Sequence, residues 1–271
     1  MLRSVIHSPV EIKLHRKACV LAADTLNMVE EHLQAGMTTD DINDLVHDYT
    51  LAHHGRPAPL NYKGFPKSVC TSVNEVVCHG IPGAYVLKDG DIINVDVTTV
   101  LPAKKGFHGD TSRTFYVGEP SPIARHVVEV TRTCLEIGMR QVRPGGHIGD
   151  IGAAIQAYAE AKGCSVVREY TGHGIGRVFH APPNVSHVGR RGTGARMRRG
   201  MTFTIEPMIN VGGHSVDHLD DGWTVLTRDR SLSAQFEHTV VVTRDGVEIL
   251  TLGTSHEGPR RYSYDPNWAP V

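Results

Sequence analysis

Apolar and polar positions repeat themselves once along this chain. Residues 35–49 line up with 144–158 without a gap, so that Gly36, Asp41, Ile42 and Tyr49 face Gly145, Asp150, Ile151 and Tyr158. In both copies a turn leads into an amphipathic helix, with apolar residues such as Ile42, Leu45, Val46 and Tyr49 at helical spacing. A longer helix is predicted ahead of each copy, around residues 9–34 and 121–141. Strand-like segments follow, where 88–96 resembles 198–206 and Gly90 and Gly200 each stand six residues before a carboxylate. This succession predicts one α+β domain over residues 1–254. Its two related halves, about 9–118 and 119–252, would share a β-sheet backed by helices on one side. Residues 255–271 would form a tail outside that core, either packed on the surface or disordered.

Alternation along the strands decides where the acids point. Between 91 and 99, Ile93, Val95 and Val97 face one way, while Asn94, Asp96 and Thr98 face the other. Phe203 and Ile205 oppose Thr202, Thr204 and Glu206; Gln235, Glu237 and Thr239 share a face; and Asp110 opens a strand running to Val117. Four carboxylates therefore sit on polar faces of strands that otherwise read as buried. Buried acids are costly unless something compensates their charge. Each acid could pair with Arg or Lys, but basic residues are sparse near them. Two divalent cations would neutralise the set, and such a centre activates water and polarises a scissile carbonyl. His173 lies in Thr171-Gly-His-Gly-Ile-Gly176, where the glycines would let backbone and metal approach closely; the spacing fits neither common phosphate loop. Chemistry alone does not single out His79, His173 and His180 among seventeen histidines.

Composition narrows the class without naming it. The chain has 271 residues, 40% hydrophobic and 21% charged, enough for a sizeable core. A net charge of -1 gives no reason to expect a nucleic-acid partner, and the basic run from Arg190 to Arg199 reads as a solvated loop. Five scattered cysteines without a CxxC pair suit free thiols in a reducing compartment. With neither a secretory apolar stretch nor a membrane span in the sequence, a cytoplasmic protein is expected.

The ordered motifs at 64–82, 94–97, 106–112, 170–176, 203–207 and 229–239 resemble those of the type I methionine aminopeptidases. The likeness runs from about residue 9 to 252. It implies the pita-bread fold, two pseudo-symmetric halves with a curved antiparallel sheet, and removal of the initiator methionine from nascent proteins when the second residue is small. It implies further that Asp96 chelates one metal, that Asp110 and Glu237 bridge two, and that His173 and Glu206 complete the other shell. His79 and His180 would face the substrate, Glu206 would serve as general base, and Thr98 would orient a ligand. Tyr62, Phe65, Cys70, Phe179 and Trp223 would line the methionine pocket, with cysteine as a soft sulfur contact. The ligand set favours cobalt, manganese or iron(II) over zinc. A monomer with transient ribosome association is the implied assembly.

Three departures from the family pattern stand out. The segment 97–106 is about three residues longer than usual and is expected to bulge outward from its hairpin. Phe65 stands where tyrosine is frequent, and Pro59 where cysteine is frequent. Rival readings are a prolidase or aminopeptidase P on the same fold, and a non-catalytic binding protein on the same scaffold. The first carries an extra N-terminal domain for which 271 residues leave no room; the second typically loses ligands that are kept here.

Overall fold

The structure is a computed structural model describing residues 5–258 and 260–270. Residues 1–4 of the expected domain, and 259 and 271 of the expected tail, lie outside that description. The chain opens with α1 (Pro9–His32) and α2 (Thr39–Ala52), followed by β1 (Arg56–Pro57), β2 (Cys70–Val73), β3 (Val76–Cys78), β4 (Ile92–Leu101) and β5 (Phe107–Tyr116). It continues with α3 (Pro122–Arg140), α4 (Ile148–Ala161), β6 (Ser165–Val166), β7 (Gly172–Gly174), β8 (Ala181–Val185) and β9 (Thr202–Ile205). Seven strands close it: β10 (Met208–Asn210), β11 (Val216–His218), β12 (Val225–Thr227), β13 (Ser233–Gln235), β14 (Glu237–Val242), β15 (Gly246–Ile249) and β16 (Arg261–Ser263).

Local chemistry starts the helices. Ser8 and Glu11 form a capping box on α1, with Pro9 at its first position, and Thr38 and Asp41 do the same for α2. Ser121 and Pro122 open α3, while Asp150 accepts the His147 N–H at the head of α4. The turns before α2 and α4 are built alike. Gly36 N bonds Leu87 O at 2.8 Å and Gly145 N bonds Met197 O at 2.9 Å. Thr39 N bonds Tyr85 O as Ile148 N bonds Ala195 O. Both leading glycines have positive φ, 93° and 84°, which a side chain would resist.

The main antiparallel sheet runs β1-β4-β5-β14-β9-β7-β8, with β2 on β4 and β15 and β16 extending from β14. Within it β14 joins the first half, at β5, to the second, at β9. Ile93, Val95 and Val97 pack with Leu26, Val29, Ile42 and Val46 beneath α1 and α2. Phe203, Ile205, Val240 and Val242 pack with α3 and α4 residues such as Val127, Leu135, Ile151 and Ile155. The helices thus take the apolar face of the sheet, and the polar face is left for the acids.

Three local expectations are corrected. The strand bearing Asp110 starts earlier, at Phe107, and pairs with β4 over ten consecutive residues. The long hairpin does not bulge: pairing is unbroken to Leu101↔Phe107, because Thr99, Val100 and Leu101 extend the ladder and β1 pairs alongside. Gln235 and Glu237 do not share one strand. The chain breaks at Phe236, sending Gln235 to pair with Met208 in a three-stranded sheet and Glu237 to the main one. The tail is held to the core at two places: Arg261–Ser263 pairs with β15, and the Arg140 guanidinium lies 3.8 Å from the Tyr262 ring centre and 4.8 Å from that of Trp268.

Helix α1 crosses β5 at Gly109, where an added methyl group would meet the backbone of Ala18 and Cys19. Neither backbone can step aside without moving the helix. Gly109→Ala is expected to cost on the order of 3 kcal/mol, read as a lowered urea midpoint, and to reduce activity by displacing the adjacent Asp110.

Candidate metal centre

Register brings the acids together. Asp96 on β4 and Glu237 on β14 both lie opposite Ser112 on the intervening β5, so the three form one row across the sheet. One row along, Asp110 lies opposite Thr98. Glu206 follows the last residue of β9, whose Thr204 pairs with Thr239 of β14. His173, in the middle of β7, is held by its own N–H to Thr204 Oγ1 at 3.0 Å, beside a register shift that re-aims the strand.

These side chains line one cavity of about 200 Å³, together with His79, His180, Thr98 and the five expected pocket residues Tyr62, Phe65, Cys70, Phe179 and Trp223. Every residue singled out from sequence for the site is therefore at this cavity, as is Pro59, and Lys63 joins them. Ligand atoms of Asp110, His173 and Glu237 lie within 4.8 Å of one another. His173 Nε2 stands 3.5 Å from Asp110 Oδ2 and 3.6 Å from Glu206 Oε1.

The electrostatics identify what this arrangement lacks. Among the described residues, no Lys or Arg pairs with any of the four acids. Burial, reinforced by the neighbouring carboxylates, pushes Asp96 and Glu237 well above the usual acid range. Burial likewise raises Glu206 to about 7, against the opposing effects of His173 and Thr204. Burial alone would lower His173, but its contacts with Asp110 and Glu206 outweigh that and raise it. Glu237 Oε1 is buried with no hydrogen-bond partner. An oxygen-rich set with one imidazole, no basic counter-charge and an orphaned carboxylate oxygen fits divalent cations.

Supporting bonds fix the set. Thr98 Oγ1 donates to Asp110 Oδ1 at 2.6 Å, and Thr204 Oγ1 donates to Glu206 Oε1 at 2.6 Å. The Glu206 N–H donates to His187 Nε2 at 3.1 Å; burial holds that ring near a pKa of about 3, so it stays neutral. Thr204 was legible as a neighbour on the Glu206 face. His187 carries no comparable sequence signal. The glycines flanking His173 admit the close backbone approach expected of them. A side chain at Gly172 would meet Thr204 O, and one at Gly174 would meet Pro182 O. They let neighbouring strands come close.

The histidines at the mouth are neutral at pH 7. Burial lowers His79 to about 4, and burial together with the charge of His173 lowers His180. His180 Nδ1 is 3.0 Å from the Tyr62 hydroxyl. The Trp223 ring meets both Phe65, at 5.1 Å, and His79, at 6.1 Å, edge to face. Burial and nearby carboxylates hold the Cys70 thiol well above its ordinary pKa, so it offers the cavity a neutral sulfur.

Comparison with known proteins agrees with this geometry. The signature of metallopeptidase family M24 spans residues 13–244. Methionine aminopeptidase A of Synechocystis sp. is 58% identical over 244 residues, 90% of this chain and 95% of that protein. The crystal structure of methionine aminopeptidase from Rickettsia prowazekii superposes with a TM-score of 0.90 at 52% identity, covering 92% of this chain and all (100%) of that one. The Xaa-Pro dipeptidase from Bacillus anthracis shares the fold alone, with a TM-score of 0.73 at 20% identity over 63% of its longer chain. The chain belongs to metallopeptidase family M24 and, within it, to the type I methionine aminopeptidases.

Proposed function

We propose that the chain removes the initiator methionine of nascent polypeptides whose second residue is small, with two divalent cations held by Asp96, Asp110, His173, Glu206 and Glu237. The observation that carries this reading is the convergence of four carboxylates and one imidazole on a single cavity, with no Lys or Arg partner among the described residues. Asp110 and Glu237 would be shared by both ions, Asp96 would hold one, and His173 with Glu206 would hold the other. Cations so held supply Lewis acidity, lowering the pKa of water and polarising a carbonyl. Carboxylate-rich ligation favours manganese, iron(II) or cobalt over zinc.

The chain's own groups do the rest. Glu206 takes and returns the proton at its carboxylate, close to neutrality in the metal-free protein at about 7. Tyr62 Oη stands 3.0 Å from His180 Nδ1; in the tautomer protonated at Nε2, Tyr62 donates to Nδ1 and His180 can offer its Nε2 proton to a substrate oxygen. His79, neutral and buried beneath Tyr170 and Trp223, offers a second bond to the peptide. Phe65, Cys70 and Trp223 surround the methionine side chain with an apolar wall and a polarisable sulfur. A cytoplasmic monomer working near the ribosome is the setting this substrate calls for. Among the described residues no helix is long and apolar enough to cross a membrane.

Three outcomes test the assignment. Asp110→Ala or Glu237→Ala should abolish turnover of Met-Ala-Ser peptides and release metal, followed by elemental analysis beside the assay; near-normal activity in either variant would refute the bridging role. His79→Ala should keep its metal while kcat falls by about 100-fold or more. Loss of metal in that variant would place His79 among the ligands instead.

The third concerns protons. The folded-state pKa of Glu206 is raised from 4.5 to about 7, and those of Asp96 and Glu237 are raised as well. Stability gained by keeping these groups protonated is present below their unfolded pKa values and is lost as pH rises through the folded ones. Cations require the ionised forms, so binding Mn²⁺ at about pH 6 should release more protons than at about pH 8. Calorimetry in buffers of different ionisation enthalpy measures the difference.

A further inference from the structure

The mouth of the cavity carries cations that the reaction does not use. Lys63 lines the cavity, is exposed, and lies 5.4 Å from the ring centre of its neighbour Tyr62. Arg177, also exposed, stands two residues before the cavity residue Phe179 and stacks 4.3 Å from the Phe107 ring centre. The guanidinium of Arg177 donates to Lys105 O at 2.8 Å, which ties it to the turn 102–106 of the lengthened hairpin. That turn holds exposed Lys104 and Lys105, and Arg56 donates to its Ala103 O. The hairpin reaches the same lip through His108, whose ring stacks on Phe179 at 5.3 Å.

None of Lys63, Lys104, Lys105, Arg177 or Arg56 forms an ion pair among the described residues. Glu11 feels the charge of Arg177, but its carboxylate is already bonded to Ser8 N at 2.9 Å and Ser8 Oγ at 2.8 Å. Beside Trp223 the charge is reversed and partly committed. Asp221 accepts from Trp223 N and Thr224 N, Asp217 pairs with Arg228, and Asp220 is exposed. The mouth is therefore polarised, with uncompensated positive charge on the lip formed by Tyr62, Lys63, Phe179 and His180.

A peptide whose first residue is enclosed by Phe65, Cys70 and Trp223 has to leave through this mouth. We propose that Lys63, Arg177 and the Lys104–Lys105 turn form a subsite for acidic side chains downstream of the small second residue, so that the enzyme favours substrates with Asp or Glu there. This rests on the aminopeptidase reading and adds a preference to it. Surface charges of this kind act on encounter and on KM, and are screened by salt.

The test is kcat/KM for three peptides, Met-Ala-Ser followed by two Asp, two Gln or two Lys, at low and at about 1 M salt. The Asp peptide should exceed the Gln peptide by about 3- to 10-fold at low salt, through KM and not kcat, with the Lys peptide below both. The ratio should collapse towards one at high salt, in Lys63→Gln, and in the double variant Lys104→Gln with Lys105→Gln. Equal values for the three peptides in the unaltered enzyme, with the Gln peptide turned over normally, would overturn the subsite and leave the aminopeptidase reading standing. A preference that survives all these substitutions would overturn the assignment to these residues. A metal-loaded enzyme inert towards the Gln peptide would remove the reading on which the subsite depends.

Discussion

Four carboxylates enclosed in one cavity repel one another, and withdrawal from water makes each harder to ionise. This mutual repulsion is the constraint around which the molecule is organised. Asp96, Glu206 and Glu237 are all driven towards their neutral forms, and among the described residues only the His173 imidazole, with no Lys or Arg, offsets their charge. Such a cluster is unstable by itself and becomes favourable once cations occupy it. A family that depends on metals can therefore place its acids where an ordinary protein would place leucines.

Rigid strands make the arrangement possible. The acids stand on one face of a sheet whose other face is fixed by helices, so that neighbouring rows set their separation. Hydroxyl groups complete the work: Thr98 and Thr204 each donate to a carboxylate, and Thr239 Oγ1 donates to Asp110 O at 2.8 Å. Threonine serves well here because its branched side chain suits a strand while its hydroxyl reaches a neighbour. His79 and His180 sit outside this rigid frame, on loop residues held by aromatic contacts. His79 has a φ of 56°, a left-handed conformation uncommon for a residue with a side chain.

Much of this could be read from the chain, for identifiable reasons. Strict alternation between 92 and 98 placed Asp96 opposite the helix-packed valines, and the spacing of Gly90 and Gly200 from the acids placed Glu206 at the end of a corresponding strand, one residue past β9. Motif resemblance supplied the histidines, which periodicity could not choose. What was misread depends on partners distant in sequence. Thr99–Leu101 extends its ladder because β1 and β5 are there to pair with it, and only the folded sheet shows this. The break at Phe236 arises because the flanking residues are claimed by two different sheets. His187 supports Glu206 from outside any motif.

Strand β14 lies late in the chain yet in the middle of the sheet, where it bridges β5 and β9 and supplies Glu237. During synthesis it is among the last elements to emerge. A polypeptide interrupted before that point holds Asp96, Asp110 and Glu206 in two halves without the seam that joins them. The strand that completes the cavity is thus made after both halves it joins, and the four acids can meet only in a nearly finished chain.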